Sequence, residues 1–284
     1  MSMWRMKMGA KMVLSRLPLG YAVWRRVGVF RHGAMHDPQY AVGVYAKHHG
    51  LVADRLEGEY TVLELGPGDS LATAAVARSY GAAGAILVDT GPWAETDFEP
   101  YRRLLDLLRQ GGMSIPDART VEEYLDHTNS RYLTDGLESL RGLPEDSVDF
   151  AFSHAVLEHV PKDEVPATLR ELHRVLKPGG VMSHQVDLMD HLGGSLNNLR
   201  FSDCFWESDT VRKSGFYTNR LRHLDLLSML DEAGFDVPWS DTAAWDSLPV
   251  PREKMAPPWR DTPEDELCVN LLRVVCVPKI QGGA

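Results

Sequence analysis

The stretch Thr61-Val-Leu-Glu-Leu-Gly-Pro-Gly-Asp-Ser70 frames the whole chain. A short apolar run ends in a carboxylate, Glu64, and a glycine-rich turn, Gly66-Pro67-Gly68. A helix-like segment follows from about Ser70 to Tyr80, and a second apolar run, Ala85 to Asp89, ends in another acid. Strand, glycine turn, helix, strand and acid is the layout of a nucleotide-type cofactor site at the edge of a parallel sheet. Glycines without Cβ let the backbone approach a cofactor closely. A dinucleotide site would usually carry a third glycine, but here Ala72, Thr73 and Ala74 follow. Glu64 suits a cofactor with a positive charge or an amino group and would repel a pyrophosphate. Asp89 can accept two hydrogen bonds from ribose hydroxyls.

Composition sets the bounds. With 284 residues, 44% hydrophobic and 25% charged, the chain can build a sizeable core without disulfides or metal. Cys204, Cys268 and Cys276 form no Cys-x-x-Cys pair, which points to a reducing, cytoplasmic setting and away from a zinc knuckle. No apolar run approaches the roughly 18 residues of a membrane span, and no signal-peptide pattern is expected. The net charge is −10, yet residues 1–36 carry +7, so the remainder is −17. An acidic body argues against nucleic-acid binding. The basic front end is open to two readings, a helix face packed on the acidic body or a peripheral contact with an anionic lipid surface.

Periodicity divides the chain into alternating elements. Residues 3–31 mix apolar and basic positions at helical spacing, broken at Pro18 and Gly20. Helices are expected over residues 38–56, 98–110, 121–128, Lys162 to Leu176 and Leu221 to Ala233. Strands are expected at Asp146 to Ser153 and at Val181 to Val186, the second after the helix stop Lys177-Pro-Gly-Gly180. Residues 188–220 read as irregular. The tail reads as an antiparallel hairpin, with strands near Val237 and at Leu271 to Val277.

Two further stretches carry a resemblance. They are Leu143-Pro-Glu-Asp-Ser-Val-Asp-Phe-Ala-Phe-Ser-His-Ala-Val-Leu-Glu-His-Val160 and Leu172-His-Arg-Val-Leu-Lys-Pro-Gly-Gly-Val181. With the glycine turn, they resemble the class I S-adenosylmethionine-dependent methyltransferases of the type 11 group, most specifically over Thr61 to Leu188. Ser70 stands where many relatives have a third glycine. The resemblance implies a Rossmann-like seven-stranded α/β sheet, with a helical N-terminal extension (1–58), a methyltransferase domain (59–280) and a substrate-loop insertion after the fifth strand (188–220). It implies that Glu64 and the Gly66, Pro67 and Gly68 backbone hold the methionine part of S-adenosylmethionine, and that Asp89 holds the ribose. Gly136 and Leu137 would border the adenine, and Ser153 and His154 would lie beside the sulfonium. His159 is a typical family position, read as a histidine capping or packing near the cofactor site rather than as a catalytic base.

The acceptor side is less defined. His184-Gln-Val-Asp187-Leu-Met-Asp190-His191 runs off the end of a strand at the edge where ligands sit. His184 or His191 could serve as a base oriented by Asp187, the four polar residues could hold a divalent metal, or they could order the following loop. Trp206, Tyr217, Asn219, Arg220 and Arg222 resemble positions in methyltransferases of glycan and cell-surface polysaccharide synthesis, which implies stacking surfaces and donors for a sugar. The expected activity is O-methylation of a glycan, a lipid-linked sugar or a small metabolite. N- or C-methylation, a non-catalytic cofactor-binding subunit and a dinucleotide oxidoreductase are the alternatives.

Overall fold

A computed structural model describes residues 3–14 and 34–279. Seven strands form one sheet: β1 (Tyr60–Leu65), β2 (Ala82–Val88), β3 (Arg131–Leu133), β4 (Val148–His154), β5 (Leu176–Asp187), β6 (Phe235–Ala244) and β7 (Val269–Pro278). Their order is β3-β2-β1-β4-β5-β7-β6. β1 to β5 run parallel, and β7 is antiparallel to both β5 and β6, as the tail pattern predicted. This is the seven-stranded class I methyltransferase sheet. The strand order reverses between β1 and β4, so the crevice for a ligand opens at their carboxyl ends.

The inner strands are nearly continuous apolar runs because both faces are covered. Helices α1 (Met3–Leu14), α2 (Pro38–Gly50), α3 (Thr73–Ser79), α4 (Glu99–Gln110) and α5 (Val121–His127) precede β3; α6 (Leu137–Arg141), α7 (Val165–Val175) and α8 (His223–Glu232) follow it. α2 to α5 cover one face, packing Tyr45, Ala74, Leu104 and Tyr124 against Val62, Leu87 and Phe150. α6 to α8 cover the other with Leu140, Leu169, Leu172 and Leu230. α4 shows why such a segment is helical: Tyr101, Leu104, Leu105 and Leu108 form one stripe, and all four are buried.

Two expectations change. β5 starts at Leu176 rather than Val181, because Leu176 already pairs with Val148 while the ladder resumes at Phe150 with Val181. Lys177 to Gly180 therefore bulge from a strand already begun, and the Lys177 ammonium pairs with Asp149 at 2.8 Å. The predicted helix at 38–56 stops at Gly50 and gives way to a short 3-10 turn at Ala53–Arg55.

The 188–220 insertion has a core of its own. Leu192, Trp206, Val211, Phe216 and Tyr217 bury one another, and Trp4, Met8 and Met12 of α1 pack on them. Pro18 and Gly20, the expected break, lie outside the described residues. Among the described residues, no helix is long and apolar enough to cross a membrane.

Arg222 ties the insertion to the sheet. It is 3% exposed and donates to the carbonyls of Leu188 (2.8 Å), Leu267 (3.1 Å) and Val269. Arg222→Ala leaves those buried acceptors unpaired and is expected to destabilise the fold by about 3 kcal/mol in urea unfolding. A loss under about 1 kcal/mol would contradict this tethering role.

Candidate active site

The corner after β1 is built by two glycines in left-handed backbone, Gly66 at φ +71° and Gly68 at φ +64°. A Cβ on Gly66 would stand 2.6 Å from both γ-carbons of Val156, so the turn after β4 is seated directly on it. The Gly66 amide donates to the Val88 carbonyl at 2.8 Å, and the Gly68 amide to Asp89 Oδ2 at 2.9 Å. Asp89 Oδ1 accepts from the Thr90 amide at 2.7 Å. A carboxylate has about four acceptor sites, which lets one group take several N–H and O–H donors. The Asp89 carbonyl accepts from the Gly136 amide at 2.8 Å, which brings Gly136 and Leu137 beside Asp89.

Glu64 lies one residue before the end of β1, 3% exposed, and its Oε2 has no hydrogen-bond partner among the described residues. Burial pushes its carboxyl up to about 8; the Thr73 hydroxyl partly offsets this, and nearby Asp89 adds to it. A buried acid with one oxygen left unpaired beside a glycine corner fits a cofactor that brings positive charge.

Across the crevice, the ends of β4 and β5 present alternating side chains. Ser153 and His184 point to the face covered by α6 to α8. Ser153 Oγ lies 2.7 Å from His184 Nδ1, both residues are fully buried, and Met182 Sδ lies 3.2 Å from His184 Nε2. Burial lowers the His184 imidazole to about 4. His154, Ser183 and Gln185 point the other way and meet His48 of α2. His48 Nδ1 is 2.9 Å from Ser183 Oγ and His48 Nε2 is 3.1 Å from His154 Nδ1, while His154 Nε2 is 3.2 Å from the Gln185 amide nitrogen. One consistent proton assignment runs along this chain: Gln185 donates to His154, His154 to His48, and His48 to Ser183. Burial lowers His48 to about 3, with His154 beside it, and lowers His154 to about 4, with Lys47 adding.

Beyond β4 the backbone turns at Ala155, a non-glycine residue at φ +56°. The turn that follows presses Val156 onto Gly66, sends Glu158 inward and leaves His159 exposed. Glu158 is buried, and its Oε1 accepts from the Asp187 amide at 3.3 Å. His159 Nδ1 lies 3.0 Å from the Tyr217 carbonyl. The His191 ring stands edge-on to His159 with centroids 4.7 Å apart, and its Nε2 is 3.7 Å from Asp187 Oδ2.

Of the polar set after β5, Asp187 and His191 thus come together with Glu158 and His159, whereas His184 and Asp190 do not. Asp190 orders its own loop, accepting from the amides of Leu192, Gly193 and Asn197. The residues expected to meet a sugar are enclosed. Trp206 is 0% exposed and donates to the Thr218 carbonyl. The Asn219 amide holds the Leu157 and Val160 carbonyls, and Arg220 holds the Phe201 carbonyl and Asp203. Most of their donors are spent inside the fold, with Arg220 Nε and Arg222 Nε buried and left without a partner among the described residues. His48, Gln185 and Glu158 are the residues that sequence reasoning passed over. Glu158 at least stood in a recognised Leu-Glu-His string, while His48 gave no signal because its partners lie over a hundred positions away. A surface hollow of about 470 Å³, lined by Thr61, Gly84, Asn129 and Ser147 among others, lies at the amino-terminal edge of the strands, away from all of this.

A family model described as a methyltransferase domain matches residues 108–183. Over those residues the chain is similar to methyltransferase domains. With the sheet order, the match supports an S-adenosylmethionine-dependent methyltransferase, and S-adenosylmethionine as its cofactor. No curated protein matches. Similar solved structures include an S-adenosylmethionine-dependent methyltransferase from Methanosarcina mazei (15% identity, 81% of this chain and 98% of that one, TM-score 0.49). Another is from Mesorhizobium loti (19%, 80% and 95%, TM-score 0.45). A third is a complex between the Haloferax volcanii Trm112 methyltransferase activator and a methyltransferase (17%, 100% and 100%, TM-score 0.46).

A cation bound beside Glu64 favours its carboxylate form. Cofactor binding near pH 7 is therefore expected to release a proton, with affinity rising with pH and levelling off above about 8. Calorimetry in buffers of different ionisation enthalpy reads this directly, and proton uptake would contradict it. The folded carboxyl keeps its proton well above the ordinary value of 4.5, so its contribution to stability falls as pH rises from there to about 8. Glu64→Gln is accordingly expected to melt higher than the wild type above that range while binding the cofactor more weakly.

Proposed function

We propose that the protein moves the methyl group of S-adenosylmethionine to a hydroxyl oxygen of a small metabolite or sugar-bearing intermediate. Glu64 and the Gly66–Gly68 backbone hold the amino-acid end of the donor, Asp89 the ribose, and Gly136 with Leu137 the adenine edge. His154 stands beside the transferable methyl. The observation that carries the reading is the polar edge of β4 and β5, where His154, Gln185 and Asp187 face the crevice next to the glycine corner, with Leu65 and Ser153 in register across it.

The carbon–sulfur bond of the sulfonium breaks as the acceptor oxygen attacks in line, and the neutral thioether leaves. Because the donor is already activated by its charge, most of the rate comes from alignment. His154, held neutral by burial, orients the acceptor through a hydrogen bond and is too weak a base to take its proton. We assign His184 to packing, and the departing proton to the side of the edge where Asp187 and His191 meet.

Calorimetry with S-adenosylhomocysteine and with NAD separates this reading from the oxidoreductase. The thioether is expected to bind and NAD not, and Asp89→Ala should weaken the thioether at least about tenfold, roughly 1.4 kcal/mol. Binding of NAD without the thioether would overturn the donor assignment. Incubation with labelled donor and hydroxyl, amine and carbon acceptors, followed by NMR of the products, tests the acceptor; label recovered only on nitrogen or carbon would overturn O-methylation.

A further inference from the structure

We infer that Glu158, His159 and His191 form a binding site for one divalent transition-metal ion at the carboxyl edge of the sheet. Each offers one ligand atom, and the three atoms lie within 4.8 Å of one another. Donor atoms around a tetrahedral ion stand about 3.3 Å apart, a spacing that small side-chain rotations can reach from here.

Two observations separate this cluster from a chance meeting of polar groups. The first is Glu158. Its side chain is fully buried, one oxygen accepts from the Asp187 amide, and Oε2 has no hydrogen-bond partner among the described residues. A buried carboxylate oxygen left this way is costly unless a cation or a proton completes it. The second is His159. Its Nδ1 lies 3.0 Å from the Tyr217 carbonyl, an acceptor only, so the proton of the neutral ring sits on Nδ1 and Nε2 carries the lone pair. A backbone carbonyl fixing the tautomer in this way is the usual outer support of a metal-bound imidazole. Asp187, 3.7 Å from His191 Nε2, supplies a second carboxylate beside the set.

Two imidazoles and one carboxylate select zinc, cobalt, manganese or iron over magnesium or calcium, which prefer all-oxygen shells. Three protein ligands leave coordination positions open, and the exposed side of His159 gives an entry path. On the methyltransferase reading, on which this last step rests, an acceptor hydroxyl takes an open position and loses its proton more readily there. That would supply what neither buried His184 nor neutral His154 provides.

The test uses the full chain, stripped with a chelator and titrated with Co²⁺ alone, following the visible d–d absorption, and then with Zn²⁺ in competition. One equivalent is expected to bind. His159→Ala and His191→Ala should each weaken binding at least about tenfold, and Glu158→Gln likewise. His127→Ala, at an exposed helix end, should leave it unchanged. Because Glu158→Gln alters a fully buried carboxyl whose affinity for a proton is raised by burial, the two histidine variants are decisive, with thermal melts confirming that they fold. No cobalt spectrum, or a spectrum unaltered in the double histidine variant, overturns the inference. S-adenosylhomocysteine affinity measured on the same wild-type preparation separates the two failures: a chain that binds the thioether but no cobalt refutes the metal site alone, and the reverse refutes the donor reading alone.

Discussion

The Asp89 carboxylate accepting the Gly68 amide is the contact on which the rest of the site depends. It joins the end of the second strand to the turn after the first. The turn can take that position only because Gly66 and Gly68 occupy left-handed backbone, where a Cβ would be strained. The same acid fixes Thr90 through its other oxygen and Gly136 through its carbonyl. Three separate loops therefore converge on one residue. Loss of the Asp89 carboxylate would loosen the turns after β1 and β2 together.

The opposite wall is set by sterics as much as by hydrogen bonds. Ala155 accepts a conformation that costs a non-glycine residue about 1 kcal/mol or more. In return, Val156 packs onto the bare Cα of Gly66. A side chain on Gly66 would displace the turn that carries Glu158 and His159. The cofactor corner and the acidic and histidine cluster are thus one mechanical unit, although they come from different parts of the sequence. This coupling explains why Glu158 can be so deeply buried: the turn has no freedom to swing it outward.

Much of this was legible in the chain. The alternation of strands and helices, the glycine corner, Asp89 and the antiparallel tail all follow from local pattern, because each is set by residues within a few positions of one another. What failed to show was decided by distance and by face. The irregular look of residues 188–220 concealed a small core, since Leu192, Trp206 and Phe216 meet only after the chain doubles back. Trp206, Asn219 and Arg222 looked like ligand-facing groups because their polar ends have no local partners. The partners are carbonyls up to 62 positions away. The start of β5 was misplaced because Pro-Gly-Gly reads as a helix stop, and here it forms a bulge inside a strand. His184 shows the limit of the strand-edge argument. It lies at the carboxyl end of the sheet, but alternation turned its ring into the packed face, while Gln185 and Asp187 fell on the other.

The charge balance of the edge narrows how methyl transfer to oxygen could proceed. On the proposed reading the donor is a cation that becomes neutral, so a crevice with two acids, Glu64 and Asp89, would favour binding and gain nothing further as the reaction advances. Rate must then come from the acceptor side, by holding the oxygen in line and relieving it of its proton. Burial keeps His48, His154 and His184 neutral, with lowered affinities for a proton. That suits orientation and packing and works against general-base catalysis at neutral pH. Asp187, Glu158, His159 and His191 lie together at this edge, Glu158 buried and His159 open to solvent. Acidification of the acceptor at that cluster, by a bound cation acting on the oxygen rather than by a histidine removing the proton outright, is the arrangement that the burial pattern favours.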